Sequence, residues 1–388
     1  MSVWDFSGKL EALAADHRLR IRRTLSSPQH PHAVVDGRKL LSFASNDYLG
    51  LASHPDVIQT AQAGAALHGV GAGAAHFLSG HASAHERLEE RLCEYSQFES
   101  TLLFSTGYLA NLAILNALAD RDTLIVADKL NHACLNDGAR LSRADFRRYA
   151  HGDVDHARTL LAGSTAKRKI IATDAVFSMD GDIAPLAALL ALADEHDALL
   201  VVDDAHGFGV LGPAGRGTLA MLGLSSPRLV QMATLGKAVG TAGAFVAARQ
   251  DIVDWIMQTA PSYLFTTAAP PLIAHATLKA LDLVRDGDAL REQLERNIRR
   301  FRGGVTPTVS ARGWALPESV TAIQPIIIGT NAAALAVSEA LMHAGIWAPV
   351  IRPPTVPEGT ARLRISVSAA HTADDIDQLL AALEKVPA

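Results

Sequence analysis

Several ionisable residues in this sequence stand directly after short apolar runs, and that placement is what would let them act together. After TLLF come Ser105, Thr106, Gly107 and Tyr108, opening a helical stretch. After TLIVA come Asp128 and His132; after KIIATD come Phe177, Ser178 and Asp180. After ALLVV come Asp203, Asp204 and His206, and after LVQMAT come Gly236 and Lys237. A lysine amine can form a Schiff base with an aldehyde. A carboxylate can hold a pyridine nitrogen protonated, so that the ring drains electrons from a carbanion. A helix start, with free N–H groups and the positive end of its dipole, suits a phosphate. Lysine, carboxylate and helix start together meet the needs of pyridoxal 5'-phosphate (PLP). Asp203 closes a buried apolar run, where a lone carboxylate is costly to ionise without a cationic partner, and a pyridinium is one such partner.

The elements that must position these residues follow from the same runs. From about residue 100 onward, apolar runs of four to six residues alternate with helical stretches such as YLANLAILNAL and LAALLALADEH. That alternation predicts an α/β fold with a mostly parallel sheet covered by helices on both faces. In such a sheet ligands bind beyond the C-terminal ends of the strands, where all the residues above lie. The spacing of Leu10, Leu13, His17 and Ile21 predicts a helix over residues 8–23, with Arg18, Arg20, Arg22 and Arg23 at its C-terminal end. AVV, Asp36-Gly37 and RKLLSF read as a hairpin. Residues 273–303 form a long charged helical stretch, and the tail mixes strands (TAIQPIIIG, ARLRISV) with helices around a Pro-rich loop. The expected organisation is an N-terminal arm (1–45), a large α/β domain carrying the cofactor (46–285) and a small α+β domain (286–388).

Bulk properties narrow the classes. The 388 residues are 49% hydrophobic and 19% charged, enough apolar content for a large core. Thirty-five basic against 40 acidic residues leave a net charge of -5, with no global excess pointing to nucleic acid or to an anionic membrane. Cys93 and Cys134 have neither metal-type spacing nor the number for a disulfide framework. No signal or transit pattern is read at the N-terminus, and Ile183 to Ala193, interrupted by Pro185, is too short to span a bilayer. The expectation is a cytoplasmic enzyme.

As a set, six segments go further: FASNDYLGL (43–51), STGYLAN (105–111), FSMDGDIAPL (177–186), VDDAHGFGVLGPAGRG (202–217), TLGKAVG (234–240) and IRPPTVPEGTARLR (351–364). In these the chain resembles the α-oxoamine synthases along its whole length. These are PLP enzymes of the aspartate-aminotransferase fold (fold type I) that join an amino acid to an acyl thioester and release carbon dioxide. The resemblance implies that Lys237 is the Schiff-base lysine and the base for the Cα proton. It implies that Asp203 pairs with the pyridinium, His206 and Ser178 lie at the phenolic oxygen, and His132 stacks on the ring. Gly107, Tyr108 and Thr234 would serve the phosphate region. Arg352 would hold the amino-acid carboxylate, a bidentate task suited to guanidinium, with Thr355 beside it. Arg20 would contact the acyl substrate. The family is dimeric, and Thr266-Thr267 resembles a phosphate contact donated by the neighbouring subunit. The Pro-rich loop and short arm are most similar to the branch that uses L-alanine and a pimeloyl thioester, carried by CoA or acyl-carrier protein, in biotin synthesis. Glycine C-acetyltransferase is the alternative branch. The sequence departs from the family pattern at Ala74-Ala75-His76, at Asp174 (commonly glutamate) and at Asn131 (usually serine).

Each residue alone has a plainer explanation: an aspartate at a strand end as a turn cap, Thr106 as a helix N-cap, Lys237 as a solvated loop lysine. Other chemistries fit less well. His81 and His85, four apart beside Glu86, invite a zinc hydrolase, but Glu89 stands where the metalloprotease motif needs histidine. No metal is expected, since histidines so spaced on a charged helix are usually solvated. Gly69, Gly71 and Gly73 lack the third spaced glycine of a dinucleotide fingerprint. Gln231 stands where a phosphate loop ending in Gly236-Lys237 needs glycine.

Overall fold

The apolar runs become strands because their β-branched and leucine side chains are buried on both faces. In the computed structural model, which describes residues 3–386, seven strands form one sheet. Their order is Ser100–Phe104, Ala244–Ala248, Leu229–Thr234, Leu199–Asp203, Arg168–Asp174, Thr123–Asp128 and Asp145–Tyr149. All pairings are parallel except those of Ala244–Ala248, which runs antiparallel to both neighbours. Alternate residues feed different layers. Ile125 and Ala127 join one buried cluster, and Leu124 and Val126 join another. Leu200, Val201 and Val202 are fully buried, each burial worth about 1.5–3 kcal/mol. The mixed α/β class expected from the sequence is therefore present, with its parallel centre.

The chain forms two compact units. The larger holds 51–178 and 182–291, with the seven-stranded sheet. The smaller holds 1–50, 179–181 and 292–388. The expected separate arm is thus part of the smaller unit, because Arg38–Ser42 pairs on one edge with His32–Val35 and on the other, in parallel, with Ile346–Trp347. The Asp36-Gly37 turn has both residues at positive φ (49° and 76°), which matches the twist of a tight hairpin. A second sheet of the smaller unit places Ala361–Ser366 between Ile323–Gly329 and Val350–Ile351. The long helical stretch is two helices, Pro271–Arg285 and Asp288–Ala311.

The N-terminal helix is shorter than its periodicity predicts. It spans Ser7–Ala15, and none of its residues is buried. His17 turns into the left-handed region (φ 55°), and the Arg18 and Leu19 amides bond back to the Leu13 carbonyl at 2.7 and 3.1 Å. The arginines predicted for its last turn therefore lie on a segment without regular secondary structure. No helix among the described residues is long and apolar enough to cross a membrane.

Candidate active site

Strand register builds the rim of the larger unit. Asp174 and Asp203 are directly paired residues on neighbouring strands, and Asp203 pairs on its other side with Met232. Asp203 is 6% exposed; its Oδ2 accepts from Asn111 Nδ2 at 2.7 Å and its Oδ1 from the Ala205 amide at 3.0 Å. Asn111 stands one turn beyond Gly107 on the helix Gly107–Leu118, which follows the first strand of the sheet. Lys237 sits in a loop closed by the Gly240 amide on the Lys237 carbonyl (2.9 Å) and the Thr241 amide on the Leu235 carbonyl (2.9 Å). Its Nζ lies 3.1 Å from His206 Nε2. Gly107, Tyr108, His132, Ser178, Asp203, His206, Thr234 and Lys237 all line one cavity of about 140 Å³. Every residue expected to meet the cofactor is in this set.

His132 caps the helix Ala133–Leu141, and its backbone amide donates to both Asp174 carboxyl oxygens at 3.2 Å. Burial lowers the basicity of its ring, and Lys237 nearby acts the same way against the opposing pull of Asp203. Burial also pushes the Cys134 thiol far up, so the S–H is kept and donates to His132 Nδ1 at 2.7 Å. The ring is thereby held as a neutral plane facing the cavity. Asp174, completely buried and beside Asp203, has its carboxyl raised well above the usual range. The departure at Asn131 has a structural use: its side chain bonds the Ala172 carbonyl (2.8 Å) and the Asp174 amide (3.0 Å), bridging the strand end to the turn that carries His132.

At the helix start, Thr106 caps Leu109 at 3.2 Å. A Cβ on Gly107 would stand 2.8 Å from Thr234 Cγ2, so only glycine lets the two approach. Tyr108 donates its hydroxyl to Asp137. Not every acid of the strand ends serves the cavity. Asp204 faces away from it and accepts from the Thr218 amide (2.7 Å), the Thr218 hydroxyl (2.6 Å) and Gln231 (3.0 Å), and burial raises its carboxyl to about 7. Asp128 binds His151. Asp180 belongs to the smaller unit, where Arg362 holds it. Asn111, Cys134 and Asp137 escaped the sequence reading. Asn111 was visible only as the last residue of STGYLAN.

Of the four expected substrate residues, His132 lines the cavity of the larger unit, and the other three meet in the smaller unit. Arg20 donates to Thr355 Oγ1 at 3.0 Å, and Arg352 donates to the His17 and Leu19 carbonyls. Burial, then the neighbouring Arg20, lowers the basicity of the Arg352 guanidinium. His81 and His85 are not a solvated pair: His85 is 1% exposed, and His76 joins them.

The cavity fits PLP on its own chemistry. An amine, an anchored acid and a neutral ring face one space, and a helix start crowded against Thr234 borders it. Comparisons agree. Residues 38–383 match the family of class I and II aminotransferases. An 8-amino-7-oxononanoate synthase of Aromatoleum aromaticum is 55% identical, covering 95% of each chain. That of Herminiimonas arsenicoxydans is 53% identical, covering 97% of each. Among solved structures, the Sphingomonas wittichii serine palmitoyltransferase superposes with a TM-score of 0.92 at 28% identity, covering 100% of both chains. SPT with a PLP internal aldimine gives 0.91 at 28% identity, covering 98% of each. The 8-amino-7-oxononanoate synthase of Francisella tularensis gives 0.77 at 30% identity, covering 89% of this chain and 97% of that one. The chain belongs to the class I and II aminotransferase family of fold type I, and within it to the 8-amino-7-oxononanoate synthases. It is a PLP-dependent acyltransferase.

Proposed function

We propose that the residues around Lys237 carry out the condensation of L-alanine with a pimeloyl thioester, on CoA or acyl-carrier protein. The products are 8-amino-7-oxononanoate, carbon dioxide and the free thiol, a step of biotin biosynthesis. The observation that carries this is the pairing of Lys237 Nζ with His206 at 3.1 Å in the cavity that Asp203 also lines. Bound there, PLP supplies an electron sink for the charge left at the amino acid's Cα. Lys237 is the attachment point, and its freed amine removes and returns the Cα proton. Asp203, fixed by Asn111 and Ala205, would hold the ring nitrogen protonated. His206 and Ser178 would serve the phenolic oxygen, and His132 would cover the ring face. Gly107 and Tyr108 at the helix start, with the Thr234 hydroxyl, hold the phosphate. Arg352 and Thr355 receive the alanine carboxylate side of the substrate, and Arg20 the acyl side.

The active form is a cytoplasmic homodimer, with Thr266-Thr267 reaching the partner's phosphate. Exposed apolar residues around that pair support it: Phe265 is 83% exposed, Leu78 80% and Phe77 51%, and Ala75 bridges to Thr267. Sedimentation should give twice the chain mass. The test of function is incubation of the purified protein with PLP, L-alanine and pimeloyl-CoA, with detection of 8-amino-7-oxononanoate. No product, alongside turnover of glycine with acetyl-CoA, would transfer the assignment to the glycine-using branch.

A further inference from the structure

The stretch that departs most from the family pattern carries a histidine that closes a cluster. We propose that His76, His81 and His85 bind a divalent transition-metal ion of the zinc type, separate from the PLP cavity. Their ligand nitrogens lie within 4.8 Å of one another. His76 Nδ1 and His81 Nδ1 are 2.9 Å apart, so two nitrogen lone pairs share at most one proton between them. Tetrahedral zinc at ~2.0–2.1 Å from each nitrogen sets neighbouring ligands roughly 3.3 Å apart. The first two imidazoles already stand at about that separation, and the third has to close by up to about 1.5 Å.

The surroundings orient these rings as ligands. His85 Nε2 donates to the Ala269 carbonyl at 2.8 Å, the outer bond that ligating histidines usually make, and this leaves Nδ1 as its lone-pair atom. Nδ1 accepts from the Ala82 amide at 3.0 Å, a single bond that a metal would displace. His76 stacks on Tyr263, with centroids 4.9 Å apart and planes 13° from parallel. The five-residue turn His76–Gly80 brings His76 back beside His81. It is closed by Gly80, whose position admits no Cβ because one would sit 2.0 Å from the Ala74 carbonyl oxygen. Burial lowers His76 to about 4, with His85 and His81 adding to it, so the ring is neutral and available near pH 7. Nitrogen-only donors favour zinc, nickel or copper over calcium or magnesium. Glu89, where a hydrolytic motif would have histidine, is instead bonded to the Leu103 amide at 2.8 Å. The ion would therefore pin the Gly-rich turn rather than hydrolyse a substrate.

The test uses the PLP-loaded protein, stripped with a chelator, dialysed and titrated with zinc chloride against a chromophoric zinc indicator. One equivalent per chain is expected, with a higher melting temperature when it is bound. His81→Asn changes an exposed side chain outside the catalytic set. It should weaken binding by at least about tenfold and abolish the zinc-dependent rise in melting temperature, while the melting temperature without zinc stays unchanged. His76→Asn should weaken zinc binding likewise, with some loss of melting temperature without zinc as its stacking on Tyr263 goes. A wild-type protein that takes up no zinc, or a His81→Asn variant that binds as tightly as wild type, overturns the proposal.

Discussion

The two units hold their functional residues in opposite ways. In the larger unit the set comes from strand ends of one sheet, and hydrogen-bond register makes neighbours of residues far apart in sequence. Asp174 and Asp203 are side by side because their strands are paired, whatever the loops between them do. In the smaller unit, Arg20 and Thr355 meet across 335 positions through a segment without regular secondary structure and a Pro-rich loop. No periodic pattern dictates that meeting. A sheet edge gives its site order for little added cost, whereas a site made of irregular segments depends on individual hydrogen bonds.

The comparison can be broken most decisively at Lys237. Lys237→Ala should lose the visible absorption acquired with PLP and more than about 10⁴-fold of turnover, with an unchanged melting curve. An active colourless variant would remove the rim from the mechanism. Next comes the adjacent pair of aspartates. Asp203→Asn should lower kcat about 10²–10³-fold, since it removes charge from a site arranged around it. Asp204→Asn should leave kcat nearly unchanged and destabilise the fold by about 1–3 kcal/mol, because an amide cannot accept from all three of its donors. Thermal melts and kinetics of both variants separate the two roles, and equal kinetic losses would mean the register argument is wrong.

The smaller unit should respond in binding instead. Arg352→Lys removes the forked geometry and should raise KM for L-alanine about 10–100-fold with little change in kcat. A pure kcat effect would mean that Arg352 acts on the reacting atoms. The smallest effect is expected at His151, which sits between Asp128 (3.1 Å) and Asp182 (2.9 Å), at the base of the turn bearing Ser178. Hydrogen bonds to those two carboxylates raise its pKa to about 10 from an ordinary 6.5. A raised folded-state value means the stabilisation is complete below about pH 6.5 and is lost as pH climbs toward 10. The melting-temperature gap between wild type and His151→Asn should therefore shrink over that window. A gap independent of pH would show that packing on Phe177, not charge, is what His151 contributes.

The same contrast explains what the sequence could show. The strands, the α/β class and the identity of the rim were legible because buried strands announce themselves as apolar runs and the rim follows each run directly. Asn111, Cys134 and Asp137 were not, since they act on other side chains from within helices and carry no signal of their own. The N-terminal helix was overextended because leucine spacing continues past Ala15, while the left-handed turn at His17 is set by backbone bonds that composition does not reveal. Arg20, Arg352 and Thr355 entered only through resemblance. His85 was misjudged as solvated because a charged helix face says nothing of the neighbouring Ala269 carbonyl.

The enclosure of Asp204 bears on how mutational scans of this enzyme should be interpreted. A Cβ on Gly207 or Gly217 would stand 2.2 Å from an Asp204 carboxyl oxygen. Both glycines follow Asp203, Asp204 and His206 in the stretch 202–217, so a scan scored by growth without biotin would mark them as indispensable as Lys237. Their intolerance would report the walls around a carboxyl group that never meets substrate. Separating soluble yield from specific activity at each position would distinguish the two kinds of indispensability.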